Sequence, residues 1–216
     1  MKEERNNLVW QEIGGRFGSN LARVKVLAEH ADSTLQIQLG GITDLRSDIL
    51  RSAIILLHAT LEDLLRSVAE VLLPMAAANH LKDIPLLGSM KPRQTTFTLE
   101  DLAAHRGRDV SDLIAKSVTA YLERSNYNHP GDIKCFPAVG RNSREFMRSF
   151  LPSPRAMMSR RHLIAHRADR RVGVGAAPLA IESLTVEEWI DNVALFGGAL
   201  LGLIRSKLPD DVEADQ

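Results

Sequence analysis

The sequence predicts an all-α protein, an up-and-down helical bundle with a helical insertion. Three observations predict it. Apolar residues recur at spacings of three and four over long stretches. Glycine, proline and capping residues punctuate the ends of those stretches. No run alternates apolar and polar residues as a half-buried strand would. With 216 residues and 44% hydrophobic content, the chain is long enough to bury a core. One domain is the simplest organisation, with two small ones as the alternative.

Taken in order, residues 1–18 are polar and glycine-dotted, and read as a poorly ordered leading segment. The helical domain is expected over 19–207. Its first helix carries Leu21, Val24, Leu27, Ala28, Ala31, Leu35 and Leu39, and stops at Gly40-Gly41. Thr43 is placed to cap a second helix from Asp44 to Leu73. Leu45, Ile49, Ala53, Leu56, Leu57, Leu61, Leu64, Val68 and Leu72 give that helix a wide apolar stripe, and Pro74 ends it. Two long helices joined by a glycine pair read as an antiparallel hairpin.

Residues 75–142 read as an insertion between this hairpin and a later basic helix. Thr98 and Asp101 resemble a capping box for a short helix to His105. Asp109 or Ser111 opens another through Arg124, with Val110, Leu113, Ile114, Val118 and Leu122 inward. A short helix is expected over 144–151. Ser153-Pro154 then provides a cap and first-turn proline for a helix to about Ala168. The closing helix is expected from Val186 to Lys207, behind a Thr185/Glu188 capping box. Trp189, Ile190, Val193, Phe196, Leu200, Leu203 and Ile204 face inward on it, and Gly197-Gly198 permits close helix contact. Residues 208–216 form an acidic tail.

Composition narrows the function. Lys+Arg and Asp+Glu both number 27, so the formal net charge is zero. That argues against coating nucleic acid by bulk charge and leaves room for a local basic site. Cys135 is the single cysteine, which excludes an intramolecular disulfide and fits a reducing cytoplasm. The opening residues lack a signal-peptide core. The longest apolar run, Val193 to Ile204, is about 12 residues and too short to span a bilayer. A cytoplasmic protein with no membrane partner is expected.

Charge is unevenly spread. Residues 141–171 hold nine arginines, no lysine, and the two acids Glu145 and Asp169. Residues 182–216 hold eight acids and two bases. These segments either pair with each other, or the basic one faces a phosphate, for which guanidinium offers forked donors. Within RRHLIAHR, His162 and His166 bring acid–base chemistry among Arg160, Arg161, Arg167 and Arg170. A histidine can take a proton from one oxygen and return it to another. An arginine can stabilise charge developing on a phosphate. RNA supplies its own nucleophile, the 2′-hydroxyl. The competing reading is surface charge with a packed histidine. On the second long helix His58, Glu62 and Arg66 step by four into one polar stripe, which is either functional or an exposed Glu–Arg pair. His162, His166 and Asp169 have spacing that can hold zinc. No acid follows His162 as in HExxH, and the arginines repel a cation, so no metal is expected.

Arg161-His162-Leu163-Ile164-Ala165-His166 resembles the R-x(4–6)-H motif of the HEPN superfamily (higher eukaryotes and prokaryotes nucleotide-binding domains). The family's arginine is commonly followed by a polar residue, here His162. LLHATLEDLLRSVAEVLL looks like the family's helix with a Glu-centred polar patch. The resemblance covers residues 19–74 and 143–207, is nearest the RiboL-PSP-HEPN-like group, and departs from a minimal domain over 75–142. It implies a metal-independent and cofactor-free endoribonuclease, often a toxin or defence effector. It also implies a homodimer with a composite cleft, and a nucleotidyltransferase-type antitoxin as a possible partner. Carried over, Arg161 binds the scissile phosphate and His166 moves protons. His162 orients the phosphate, and Glu62 positions the motif side chains. Arg160, Arg167, Arg66 and Arg170 are RNA-binding candidates. Arg160 also satisfies the spacing to His166; Arg161 is preferred because the polar residue follows it. The alternative function is a HEPN-like module that binds RNA or protein without cutting.

Overall fold

The computed structural model describes residues 2–33, 38–39, 43–82, 84–86, 99–103, 105–124, 152–171, 173 and 175–206. They are overwhelmingly α-helical, and they divide into two compact units. The first comprises Met1–Leu64 with Arg144–Gln216, and the second Leu65–Ser143. None of the described helices is long and apolar enough to cross a membrane.

The first unit opens with α1, Lys2–Ser33. This corrects the expectation of a poorly ordered segment over 1–18. Trp10, Ile13 and Phe17 are buried and continue the stripe of Val24, Ala28 and Ala31 back toward the N-terminus. Gly14, Gly15 and Gly18 had argued against helix there. Each costs a helix about 1 kcal/mol relative to alanine, but tertiary burial of an amphipathic face outweighs propensity. A two-residue antiparallel pair follows, β1 (Gln38–Leu39) with β2 (Thr43–Asp44), in register Gln38↔Asp44 and Leu39↔Thr43. No strand was expected there. A strand this short carries too few residues for a period-two pattern to register.

Helix α2, Leu45–Leu72, lies within one residue of its expected bounds. In the first unit it buries Leu50, Ala53, Ile54, Leu57, Leu61 and Leu64. Leu45 and Leu56, expected in the stripe, are 36% and 41% exposed. Helix α6 (Pro152–Arg167) begins two residues before the expected Pro154, and packs against α7 (Ser183–Arg205). The expected short helix over 144–151 lies outside the described residues.

Helix α7 also packs against α1. Its start differs from expectation: it begins at Ser183 behind Glu182, with no side-chain cap, so Thr185 and Glu188 form no capping box. The Ser183 hydroxyl instead accepts a hydrogen bond from Arg46 Nη2 at 2.7 Å. The glycine expectation holds at one of its two positions. A Cβ on Gly197 would strike the Phe17 ring and stand 3.0 Å from Leu64 Cδ2, whereas one on Gly198 meets open space. Gly197 is therefore where α7 approaches α1 and α2, and Arg16 Nε adds an ion pair to Asp63 Oδ2 at 2.9 Å.

The second unit holds the last turns of α2, a 3₁₀ turn (Leu73–Met75), α3 (Ala78–Leu81), α4 (Leu99–Ala103) and α5 (Val110–Arg124). Asp109 caps α5: its Oδ1 accepts the Ser111 N–H at 2.8 Å. Val118 and Leu122 are buried as expected, and α5 packs on the 3₁₀ turn. Val110, expected inward, is 68% exposed.

Candidate functional site

Helix α6 presents three faces, set by about 100° of rotation per residue. One face is buried. Met157 is fully enclosed, Leu163 and Ile164 are half-buried, and Arg160 is drawn into a polar clamp at its edge. Arg160 Nη2 donates to Asp169 Oδ2 at 2.8 Å and to the carbonyls of Leu179 and Ala180 at 3.1 and 2.9 Å. Its Nε stands 2.5 Å from Asp169 Oδ1, an ion-pair contact too bent for a hydrogen bond. From α2, Arg51 Nε donates to the same Asp169 Oδ2 at 2.8 Å, its Nη2 to Leu179 O at 3.0 Å, and its Nη1 to Asp48 Oδ1 at 2.8 Å. Burial works against the Arg51 charge, but its bonds to Asp169 and Asp48 prevail and raise its pKa. The Asp169 side chain is 0% exposed. A buried charge persists only when paired and hydrogen-bonded, and two guanidiniums meet that need here.

The clamp fixes the turn that leaves α6. Ala168 and Asp169 both take left-handed backbone, φ 48° and 62°, a conformation costing roughly 1–2 kcal/mol per L-residue. Asp169 N–H donates back to Leu163 O at 3.1 Å, and Leu179 N–H donates to Asp169 O at 2.9 Å. Two residues named in the sequence meet in this clamp: Arg160, an RNA-binding candidate, is engaged with Asp169 and two carbonyls, and Asp169 is enclosed between arginines. Among the described residues, the acid that pairs with Arg160 is Asp169.

A second face of α6 carries Arg161, half-buried, beside His58 on α2. His58 is 2% exposed, and its Nδ1 lies 3.8 Å from Glu62 Oε2. Burial, and then the Arg161 charge, push the His58 pKa down, with Glu62 opposing. Within the polar stripe expected along α2, His58 is thus interior, while 20% of the Glu62 side chain is exposed. Arg66, one turn further along, belongs to the second unit.

The third face is exposed. His162 and His166 stand one turn apart, ring centroids 4.5 Å apart and planes inclined at 46°. Arg167, Arg170 and Arg171 are exposed next to them in sequence. Comparison with protein families, curated proteins and solved structures finds no match. The fold sets the Arg161 charge near enough to act on His58, and brings His162 to His166. It does not bring Arg161 to His166, because five residues of helix turn them about 140° apart.

Two participants, Arg51 and Asp48, leave no signal in the sequence beyond an ordinary i, i+3 spacing. Asp169 is the single acid between Arg155 and Arg171, which is the signal of a buried counter-charge.

Proposed function

We propose that α6 forms the RNA-facing element of a HEPN-type, metal-independent endoribonuclease. The observation that carries this reading is the division of α6 and the turn after it: an exposed imidazole pair close in sequence to three exposed arginines, and a fourth arginine whose charge acts on the buried His58 of α2. Arg161 binds the scissile phosphate, and His162 orients it. Glu62, next to His58, holds the electrostatic frame around Arg161. Arg167 and Arg170 bind flanking phosphates as forked donors. His166 takes the proton from the 2′-hydroxyl. The 2′-oxygen attacks the adjacent phosphorus, the bond from phosphorus to the 5′-oxygen breaks, and an imidazolium returns a proton to that oxygen. The products are a 2′,3′-cyclic phosphate and a 5′-hydroxyl. The divergence of Arg161 and His166 is met by a homodimer, in which one chain's arginine faces its partner's histidine.

The same divergence favours a second reading, an RNA-binding module that does not cut. The test is to incubate purified full chain with RNA and EDTA, and to assay 2′,3′-cyclic phosphate ends by mass spectrometry. The expected result is EDTA-resistant cleavage that falls by roughly 10²–10⁴ in His166→Ala, the range for loss of a general acid–base group. RNA binding that survives His166→Ala, with no cleavage of any RNA tried, selects the second reading.

A further inference from the structure

We infer that His162 and His166 form a chelating site for one borderline transition-metal ion, of the class of zinc or nickel. Both side chains are exposed, both project from the same face of α6, and their rings already lie 4.5 Å apart between centroids, inclined at 46°. Two nitrogens bound to one ion at about 2.0–2.1 Å each stand no more than about 4.2 Å apart. Rings this close reach that separation by turning about their own side-chain torsions, with no movement of the helix. Imidazole is the ligand this class of ion prefers among uncharged side chains.

Among the described residues, no group of three or more His, Cys, Asp or Glu is placed to hold a metal. Asp169, the acid nearest in sequence, is fully buried under Arg51 and Arg160. The site is therefore a two-imidazole chelate whose remaining positions are filled by water. That sets its character. It is a surface site of modest affinity, open to exchange and weakened by Arg161 and Arg167, whose repulsion of the cation is screened by salt. A chelated imidazole has no free nitrogen on the ion's side with which to move a proton. The ion thus turns the acid–base face of α6 off; this consequence rests on the ribonuclease reading, whereas the binding does not.

The experiment titrates metal-stripped full chain with zinc and with nickel by calorimetry. The same titration is run on His162→Ala, His166→Ala and, as a control from the second unit, His80→Ala. The expected result is one ion per chain, with affinity falling more than 10-fold in each of the two α6 variants and unchanged in His80→Ala. Unchanged affinity in either α6 variant, or no saturable binding by the parent chain, overturns the inference. Cleavage measured separately in EDTA keeps the two readings apart. A chain that binds the ion yet cuts no RNA refutes the ribonuclease alone. A chain that cuts RNA yet binds no ion refutes the chelate alone.

Discussion

Asp169→Asn is the most informative single change in the first unit. The substitution keeps the shape of the side chain and the tolerance of asparagine for left-handed backbone, so it isolates the charge. What it leaves behind is severe. The Arg51 and Arg160 side chains are 15% and 18% exposed and lose the one acid they share. Arg51 retains Asp48, while Arg160 retains only the carbonyls of Leu179 and Ala180. Removing one partner of a buried ion pair costs about 3–5 kcal/mol, and the lower end applies here because Arg51 keeps a second acid. Asp169→Ala should cost about 1 kcal/mol more, from placing alanine at φ 62°. The assay is urea unfolding followed by tryptophan fluorescence. Trp10 and Trp189 are the chain's two tryptophans, are 2% and 8% exposed, and both lie in the first unit, so the signal reports on that unit. Thermal midpoints should drop by roughly 2–4 °C per kcal/mol. A cycle with Arg160→Met should show strong non-additivity with Asp169→Asn, of about 0.5–3 kcal/mol. If both Asp169 variants fall within about 0.5 kcal/mol of the parent, as surface substitutions do, the clamp is not what holds the turn after α6.

Other perturbations probe other contacts. Gly197→Ala should destabilise by about 1–3 kcal/mol because its methyl meets the Phe17 ring and Leu64, whereas Gly198→Ala, facing open space, should gain about 0.5–1 kcal/mol in the same fluorescence assay. Loss at both positions or gain at both contradicts the helix approach. His58 has its folded pKa pushed below the unfolded value, so its contribution to stability is complete above about pH 6.5 and is lost as pH falls toward the folded value. Urea titrations between pH 7.5 and 5.5 should show a slope that His58→Gln reduces, by no more than the one-proton limit of about 1.4 kcal/mol per pH unit. An unchanged slope contradicts this. Arg161→Ala should move the His58 titration, followed by NMR, up toward an ordinary histidine, since it removes one of the two influences lowering it. No movement means that Arg161 does not face His58.

What the sequence made legible was periodic and local. The stripes on α2 and α7 are wide, and burial of Leu57, Leu64, Val193, Phe196 and Leu200 follows from them directly. The first half of α1 was not legible, because its glycines contradict a helix that tertiary burial of Trp10 and Phe17 imposes. The capping box before α7 failed for a similar reason: Arg46, 137 positions away, holds Ser183 and moves the start of the helix. The Arg51–Asp169 pair spans 118 positions and leaves no local pattern at all. Motif spacing alone fits both Arg160 and Arg161, and the polar residue after Arg161 is the only local mark that favours it.

Helix phase separates the two arginines, and it does so without reference to any relative. Met157, Ile164 and Arg160 fall within about 60° of one another around α6, and that arc is the buried one. Arg161 sits about 100° from Arg160, at the flank facing α2. His162 and His166 lie a further 100–140° round, within about 40° of each other. A guanidinium on the inner arc is engaged in the clamp, one at the flank is half-buried, and the imidazoles on the outer arc are exposed. A one-residue shift in register that put Ser159 where Arg160 stands would lose the clamp. The order Arg160, Arg161, His162 is thus three different jobs assigned by rotation. Chemistry that needs Arg161 and His166 on one phosphate must draw them from two copies of this helix.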